Sequence, residues 1–426
     1  MMIPQLIISA AMAAMAVAPS AAQQAGSAVP VGMKLAWSDE FNTQQLDTAK
    51  WSTQYYSTID FVEKTNYQQM LAGKLPEPAT RFTGHSLVLV TNDSLPREAY
   101  WPPRRKVSSI QTYDWGQNRF KTGGELVGGY LEARIRRTAS ADAQGVNGAF
   151  WIDSPGPDAR YYMEKGDSAV GAMGIRPRGQ VFEIDLCENL NTELVLHGYV
   201  SPQGKFLHNI AHYPVLGNCT DRWITHGMLW TPRGLKFYID GKLVQTDWNP
   251  QHIKSPNHAM NVFLGMYSRG GSAEMEVDYI RFYQWATEPG NLLPNSGFEY
   301  SAELFPWEGT GATTSLARTG KRGVLLQSGQ RIEQYVYLDH SGSYKLEYWS
   351  KGQGTVVACV ENLAPVTGAV ESSVENLSHP GEAYTSRRLL FITGPEPATN
   401  KKTVRVSFTN TSSLPVYLDD LLIGRW

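Results

Sequence analysis

The sequence predicts an all-β protein of two domains, and three observations support this. The chain has 426 residues, which exceeds one ordinary domain and makes two the natural expectation. It contains 39 Gly and 24 Pro, which favour turns, together with 12 Trp, 21 Tyr and 14 Phe, which favour strands. Short runs with period-two alternation recur along the chain, without a helical period or βαβ alternation. We therefore expect mostly antiparallel strands.

The composition excludes several classes of partner. Hydrophobic residues make up 42% of the chain, which suffices for sizeable cores. The formal net charge of −2 gives no basic footprint for nucleic acid or for an acidic membrane. We expect a monomer with no nucleic-acid partner and no stable membrane association. The three cysteines, Cys187, Cys219 and Cys359, are too few for a full disulfide framework.

The first 22 residues resemble an export signal. They carry no charge, and an apolar run is followed by Ala-rich sequence that ends with the small residues Ser20 and Ala22. This fits a signal-peptidase site before Gln23, so residues 1–22 are interpreted as a signal peptide and the protein as secreted, extracellular or periplasmic. A positively charged start is missing. A membrane anchor is the alternative, although the apolar run is short for a span.

The first domain is predicted to extend over residues 33–285. In the strand at 148–153, alternation places Trp151 and Asp153 on one face, where an indole would offer a flat platform to a sugar. A core Trp is the alternative. An Asp-Gly hairpin is expected at residues 240–241. The predicted strands, in order, cover residues 35–42, 86–91, 107–112, 130–136, 148–153, 181–189, 194–200, three within 226–245, 260–266 and 275–283.

The stretch V-F-E-I-D-L-C-E-N at residues 181–189 carries the chemistry. Glu183 and Asp185 are two residues apart, so on a strand they point to one face. Strict alternation sends Glu188 to the opposite, apolar face. A one-residue β-bulge near Leu186 would return Glu188 to the carboxylate face, and bulges commonly re-aim side chains beside active sites.

Three carboxylates on one face repel each other and raise the pKa of at least one of them. A protonated acid beside an ionised nucleophile is the equipment of retaining glycoside hydrolysis, in which two carboxyl groups lie about 5–5.5 Å apart. A solvated edge strand with scattered acids is the alternative. The apolar opposite face, with Phe182 and Ile184, argues against it because such a strand is packed.

The pattern E-I-D-x-x-E, flanked by apolar residues, resembles the bulged catalytic signature of glycoside hydrolase family sixteen. Further motifs resemble that family in the correct order over roughly residues 33–285: W-x-D-E-F, H-x-x-x-x-W-T-P-x-x-x-x-F-Y-x-D-G and V-D-Y-I-R-x-Y. The resemblance implies a concanavalin-like β-jelly-roll sandwich. It implies Glu183 as nucleophile, Asp185 as its hydrogen-bonding helper and Glu188 as general acid/base. On these roles, Glu188 should have the raised pKa.

The resemblance also implies contributions from residues around the acids. It favours Trp151 in a sugar-binding cleft, and His197 on the next strand would support Glu188 or touch substrate, with a structural histidine as the alternative. It implies a structural Ca²⁺ near Glu40 and Asp278, on the face away from the cleft. No nucleotide or redox cofactor is required.

Residues 291–426 predict a smaller β-sandwich after a short linker. The opening N-L-x-x-N-x-G-F-E and the closing D-D-x-x-I resemble carbohydrate-binding modules. Trp307 is expected to bind sugar, together with one of Tyr348 and Trp349, since alternation lets only one of that pair face a groove. A purely structural domain is the alternative.

These inferences predict a secreted, endo-acting, retaining glycoside hydrolase that cleaves β-linked polysaccharide. The segment V-N-G-A-F-W at residues 146–151 resembles the matching strand of agarase-like galactan hydrolases more than that of laminarinases, which implies a galactan rather than a laminarin-type β-1,3-glucan. A non-catalytic, lectin-like protein on the same jelly roll and a transglycosylase are the alternatives. A lectin needs no cluster of three acids, which argues against the first of these.

Overall fold

The structure is a computed structural model that contains only β-strands as regular elements in the part of the chain it describes. No helix in that part is long and apolar enough to span a membrane. The all-β prediction is confirmed, whereas the predicted signal peptide lies outside the described residues. These are 27–53, 77–97, 105–114, 117, 119–124, 126–154, 181–199, 206–247, 255–301, 303–365, 367–396 and 400–426.

Sixteen strands form the first domain within the described residues. They are β1 (Met33–Asp39), β2 (Ala79–Phe82), β3 (Leu87–Thr91), β4 (Lys106–Gln111), β5 (Tyr113–Asp114), β6 (Arg119–Phe120), β7 (Gly129–Ala139), β8 (Asn147–Asp153), β9 (Val181–Glu188), β10 (Asn191–Tyr199), β11 (Phe206–Asn218), β12 (Trp223–Thr231), β13 (Gly234–Ile239), β14 (Lys242–Asp247), β15 (Asn261–Ser268) and β16 (Ala273–Trp285).

Two antiparallel sheets in the described residues pack face to face in this domain. The larger has eight strands in the order β14-β13-β12-β7-β16-β3-β2, with β1 also paired to β16. The smaller has six strands in the order β11-β10-β9-β8-β15-β4, and β5 and β6 form a separate pair. Leu131 and Met228 of the larger sheet join Ile152 and Ile184 of the smaller in one hydrophobic core. The period-two pattern thus builds a sandwich with the acidic strand β9 inside its smaller sheet.

Ten further strands build the second domain, again within the described residues. Two five-stranded sheets, β17-β20-β25-β22-β23 and β18-β19-β26-β21-β24, enclose a separate core. The strands are β17 (Glu308–Gly309), β18 (Ala312–Thr314), β19 (Gly323–Leu326), β20 (Arg331–Asp339), β21 (Ser343–Gly352), β22 (Val356–Leu363), β23 (Val370–Ser378), β24 (Thr385–Ile392), β25 (Lys401–Asn410) and β26 (Val416–Arg425).

The two domains contact each other directly. The Tyr300 hydroxyl donates a hydrogen bond to the Ala286 carbonyl oxygen at 2.5 Å, and its ring stacks on Trp285 with centroids 6.1 Å apart. Arg233, in the turn between β12 and β13, forms ion pairs with Glu308 and Glu333 of the second domain. The second domain therefore packs against the first.

Candidate active site

Strand β9 contains the β-bulge that the spacing of its acids predicts. Asp185 lies opposite Trp151 of β8, whereas Cys187 lies opposite the adjacent Phe150, so Leu186 is one residue extra. The pairing of β9 with β10 shifts by one residue over the same segment. The bulge is thus a property of β9 relative to both of its neighbours.

The bulge sends two consecutive residues into the core. Leu186 and Cys187 are 1% and 0% exposed and both belong to the hydrophobic core between the sheets. Regular alternation would place only one of them there. Glu188 is thereby returned to the side of Glu183 and Asp185, and its charge acts directly on Asp185.

Burial raises the pKa of Asp185 well above its ordinary value, and the nearby carboxylates of Glu188 and Asp153 raise it further. Desolvation and negative neighbours both disfavour the ionised form. Asp185 therefore favours its protonated form, which can donate a hydrogen bond to a neighbouring carboxylate. The raised pKa expected at Glu188 stays a prediction. At Asp185, which is 3% exposed, burial is the main cause of the raised pKa.

Asn147 holds Glu188 in place, and the sequence analysis missed this residue. Its Nδ2 donates a hydrogen bond to Glu188 Oε1 at 3.0 Å, while its Oδ1 accepts one from the Asn189 backbone N–H at 2.7 Å. Asn189 has φ +59°, a left-handed conformation that turns the chain directly after the bulge. The buried Arg137 donates to the Asn189 carbonyl oxygen at 2.5 Å. Extending the alternation of β8 back two residues from Ala149 would have placed Asn147 on the carboxylate face.

Trp151 lies beside the acids, as predicted, but it is not an open platform. It is opposite Asp185 in the sheet, yet it is 4% exposed. Its ring stacks on Phe263 with centroids 4.5 Å apart and planes 5° apart. Because so little of Trp151 is exposed, the prediction of an open sugar platform is wrong. The indole forms part of the wall that holds the acids.

Asp153 is a fourth carboxylate of the site. It is 1% exposed and lies directly opposite Glu183 in the β8–β9 pair. Alternation had placed it on the same face as Trp151, but no role was predicted for it. Its charge contributes to the raised pKa of Asp185.

His197 lies on the strand next to the acids. Its backbone pairs with that of Glu183 in the β9–β10 ladder. Its side chain falls outside the described part of the structure, so a contact with Glu188 or with substrate stays a prediction.

The prediction that Trp307 binds sugar is wrong. Its indole is 2% exposed, packs between Phe298 and Phe408, and donates a hydrogen bond from Nε1 to the Asn295 carbonyl oxygen at 3.1 Å. It is a core residue of the second domain. Tyr348 is likewise buried.

Glu40 and Asp278 do not fit the predicted calcium site. Glu40 accepts two hydrogen bonds from the Arg281 guanidinium, at 2.9 and 2.7 Å, and Asp278 accepts one from Arg134 at 2.7 Å. Each carboxylate is thus neutralised by a separate arginine. Among the described residues, no group of three or more His, Cys, Asp and Glu side chains is arranged to hold a metal ion.

The second domain also reaches the end of the acidic sheet. Asn257, just before β15, exchanges backbone and side-chain hydrogen bonds with Lys401 at 2.6 and 2.7 Å. The next residue, His258, is fully buried and forms a hydrogen bond between Nε2 and Ser154 Oγ at 2.6 Å. Ser154 directly follows Asp153, so a short chain of contacts links the second domain to the site.

Comparisons with known proteins place this geometry in context. A keratan-sulfate endo-1,4-beta-galactosidase from Sphingobacterium multivorum is 25% identical over 424 residues, covering 92% of this chain and 86% of its own. A GlcNAcα1-4Gal-releasing endo-β-galactosidase from Clostridium perfringens is similar in structure, with a TM-score of 0.43, 19% identity, and coverage of 72% of this chain and 73% of that one. An endo-1,3-β-glucanase (laminarinase) from Thermotoga petrophila is similar with a TM-score of 0.40 and 15% identity, and the match covers 60% of this chain and 100% of that one.

The family match covers the acidic strand itself. Residues 173–294 match the family described as Glycosyl hydrolases family 16, and this range contains β9 with its bulge. The non-catalytic alternative is thereby set aside. Residues 173–294 are thus similar to glycosyl hydrolase family 16, and this match, together with the keratan-sulfate endo-1,4-beta-galactosidase, supports an endo-acting β-glycosidase that hydrolyses O-glycosyl bonds.

Proposed function

We propose that the protein is a retaining endo-β-galactosidase that cleaves internal β-galactoside bonds of a polysaccharide. The observation that carries the chemistry is the bulge of β9, which brings Glu183, Asp185 and Glu188 to one face. Retention requires two carboxyl groups close enough for direct attack, and the bulge shortens the path between the first and last acid.

The roles follow from the surroundings of each acid. Glu183 attacks the anomeric carbon and forms a glycosyl–enzyme ester, while Glu188 donates its proton to the departing glycosidic oxygen. Glu188 then takes a proton from water, which attacks the same carbon and releases Glu183. The pKa of Asp185 is raised because it is buried beside two carboxylates, and in its protonated form it would donate a hydrogen bond to the nucleophile. Asn147 keeps Glu188 aimed at the leaving oxygen.

The choice of galactoside has two supports. The relative from Sphingobacterium multivorum is named for endo-β-galactosidase activity on keratan sulfate, and it is similar across both domains of this chain. The A-F-W segment at residues 149–151 favours a galactan over a laminarin-type glucan. Substrates with internal β-galactosyl residues are therefore the first to test.

The test is product analysis on a panel of keratan sulfate, its desulfated form, agarose, porphyran, carrageenan, laminarin and lichenan. We expect oligosaccharides with galactose at the new reducing end. Products from laminarin or lichenan alone would overturn the galactosidase proposal while leaving the family assignment intact. Transfer products in place of hydrolysis products would identify a transglycosylase.

Export is part of the proposal because a polysaccharide is an extracellular substrate. The uncharged, Ala-rich residues 1–22 support it. Amino-terminal sequencing should show that the mature protein begins at Gln23. A mature protein that begins at Met1 would contradict cleavage at this site.

A further inference from the structure

A crevice between the two domains has the character of a second binding site. Its volume is about 290 Å³ and both domains contribute to its walls. The first domain supplies Arg233 and Trp285, and the second supplies Phe305, Gln334 and Tyr335. Among the described residues that line it, none of the acids of β9 is present. The crevice is thus separate from the site of bond cleavage.

Three aromatic rings of the crevice are only half-buried: those of Trp285, Phe305 and Tyr335. Trp285 and Phe305 lie with centroids 5.5 Å apart and planes tilted by 58°. Other large rings of the second domain, such as Trp307 and Tyr344, are almost completely buried. Tyr300 stacks on one face of Trp285, and the Arg233 guanidinium lies 5.2 Å from the centre of the Tyr335 ring. The uncovered parts of these half-exposed rings offer apolar surfaces against which the C–H groups of a sugar can pack.

Gln334 is a polar group of this crevice that is left without a full set of partners. It is 1% exposed, and its Nε2 donates a hydrogen bond to the Pro294 carbonyl oxygen at 3.1 Å. Its Oε1 is buried and accepts no hydrogen bond. A buried acceptor without a donor is costly, and such groups in folded proteins call for an explanation. A ligand hydroxyl that donates to Oε1 would remove this cost.

The charges of the crevice favour a neutral ligand. Arg233 forms ion pairs with Glu308 and Glu333, so its positive charge faces two carboxylates. Burial raises the pKa of Glu308, and the charge of Glu333 adds to this. Among the described residues that line the crevice, the charged ones are Arg233 and Glu308, and they are paired with each other. The wall therefore offers a sulfate group no unpaired cation, whereas neutral hydroxyls can hydrogen-bond to guanidinium and carboxylate groups alike.

We propose that this crevice binds one or two neutral sugar residues of the polysaccharide. Its volume lies at the lower end of the range for small-molecule sites, roughly 300–1,000 Å³. The identity of the polymer rests on the proposed galactosidase function, but the site itself does not. A chain held both here and in the cleft gains effective concentration at the cleft.

The experiment uses the full chain with Glu183→Gln, so that the probe is not cleaved, and 5-fluorotryptophan labelling. Trp285→Phe and Trp151→Phe assign the ¹⁹F signals that report the crevice and the cleft. Titration with the neutral disaccharide N-acetyllactosamine should shift the Trp285 signal in a saturable way. Gln334→Leu should raise the midpoint of that shift about two- to tenfold, the value of one neutral hydrogen bond.

Phe305→Ala is the second crevice variant. It leaves Gln334 unchanged and should also raise the midpoint of the Trp285 shift. Leu377→Ala is the matched control, since this exposed side chain lies on β23 of the same domain and does not line the crevice. A Trp285 signal that stays still while the Trp151 signal moves would overturn the crevice site and leave the proposed function standing. The reverse pattern would support the crevice and count against the galactoside as cleft substrate.

Discussion

Two acids of the larger sheet, Glu276 and Asp278, have surroundings opposite to those of Asp185 on the smaller sheet. On the larger sheet, Glu276 forms an ion pair with Arg136, and Asp278 forms one with Arg134. On the smaller sheet, the charged groups that act on Asp185 are other carboxylates. An ion pair with arginine stabilises the ionised form of a carboxylate, whereas burial beside other carboxylates raises its pKa. Glu132 of the larger sheet is also buried with a raised pKa, but desolvation is the cause there and Ser27 donates a hydrogen bond to it. The mutual effect of neighbouring carboxylates is what distinguishes Asp185.

The largest expected difference between the two sheets is in catalysis. Glu183→Ala should lower kcat/KM by about three orders of magnitude or more, because it removes the nucleophile of a concerted unit. Glu276→Ala is the matched control on the other sheet, and its activity should stay within a few-fold of wild type. Steady-state kinetics on the best substrate of the panel measures both.

Melting curves for both variants must show folded protein before the rates are compared. The contrast between the sheets fails if Glu183→Ala keeps activity within tenfold of wild type. It also fails if Glu276→Ala is as inactive as Glu183→Ala.

A smaller loss is expected when the acids stay but their support is removed. Asn147→Ala deletes the hydrogen bond to Glu188 Oε1 and the one that fixes Asn189. We expect activity to fall roughly 10- to 100-fold, because a misplaced catalytic group costs about that much. Substrates with activated aryl leaving groups, which need little acid assistance, should lose less. An equal loss on both kinds of substrate would contradict the assignment of Asn147 to Glu188.

The pattern within β9 could be predicted from sequence because it is local. Alternation along a strand places Glu183 and Asp185 on one face and the apolar residues between them on the other. The bulge at Leu186 is then needed to bring Glu188 to the acidic face. The stacking of Trp151 on Phe263 could not be predicted in this way. The two residues are on different strands, and their contact depends on a register that the sequence does not state.

The errors have the same physical origin. Trp307 follows no strand period because it precedes the two-residue strand β17, so alternation could not say that its ring enters the core. Glu40 and Asp278 were assigned to calcium without knowledge of their cross-strand neighbours. The structure supplies an arginine to each.

The smallest expected effect concerns stability as a function of pH. Folding raises the pKa of Asp185, so the folded state holds this proton more tightly than the unfolded chain, whose Asp has a pKa of about 3.9. Its contribution to the free energy of unfolding is fully present below that value. Between the unfolded and the folded pKa, this contribution falls by about 1.4 kcal/mol for each unit that the pH rises.

Asp185→Asn removes this titration and should be less sensitive to pH than wild type above about pH 4. Asp278→Asn, on the larger sheet, should change stability by only about 0–1 kcal/mol, the usual value of a solvent-accessible ion pair. Denaturant unfolding at several pH values measures the difference between each variant and wild type. Parallel pH profiles for Asp185→Asn and wild type would show that Asp185 is not protonated on folding.

The most direct test of the account is the configuration of the first product. If Glu183 attacks the anomeric carbon and water later displaces it, two inversions retain the β configuration. ¹H NMR of the hydrolysis, recorded before mutarotation, should show the β anomer at the new reducing end first. An α anomer as the first-formed product would mean that water attacks directly, and it would contradict the assignment of Glu183 as nucleophile.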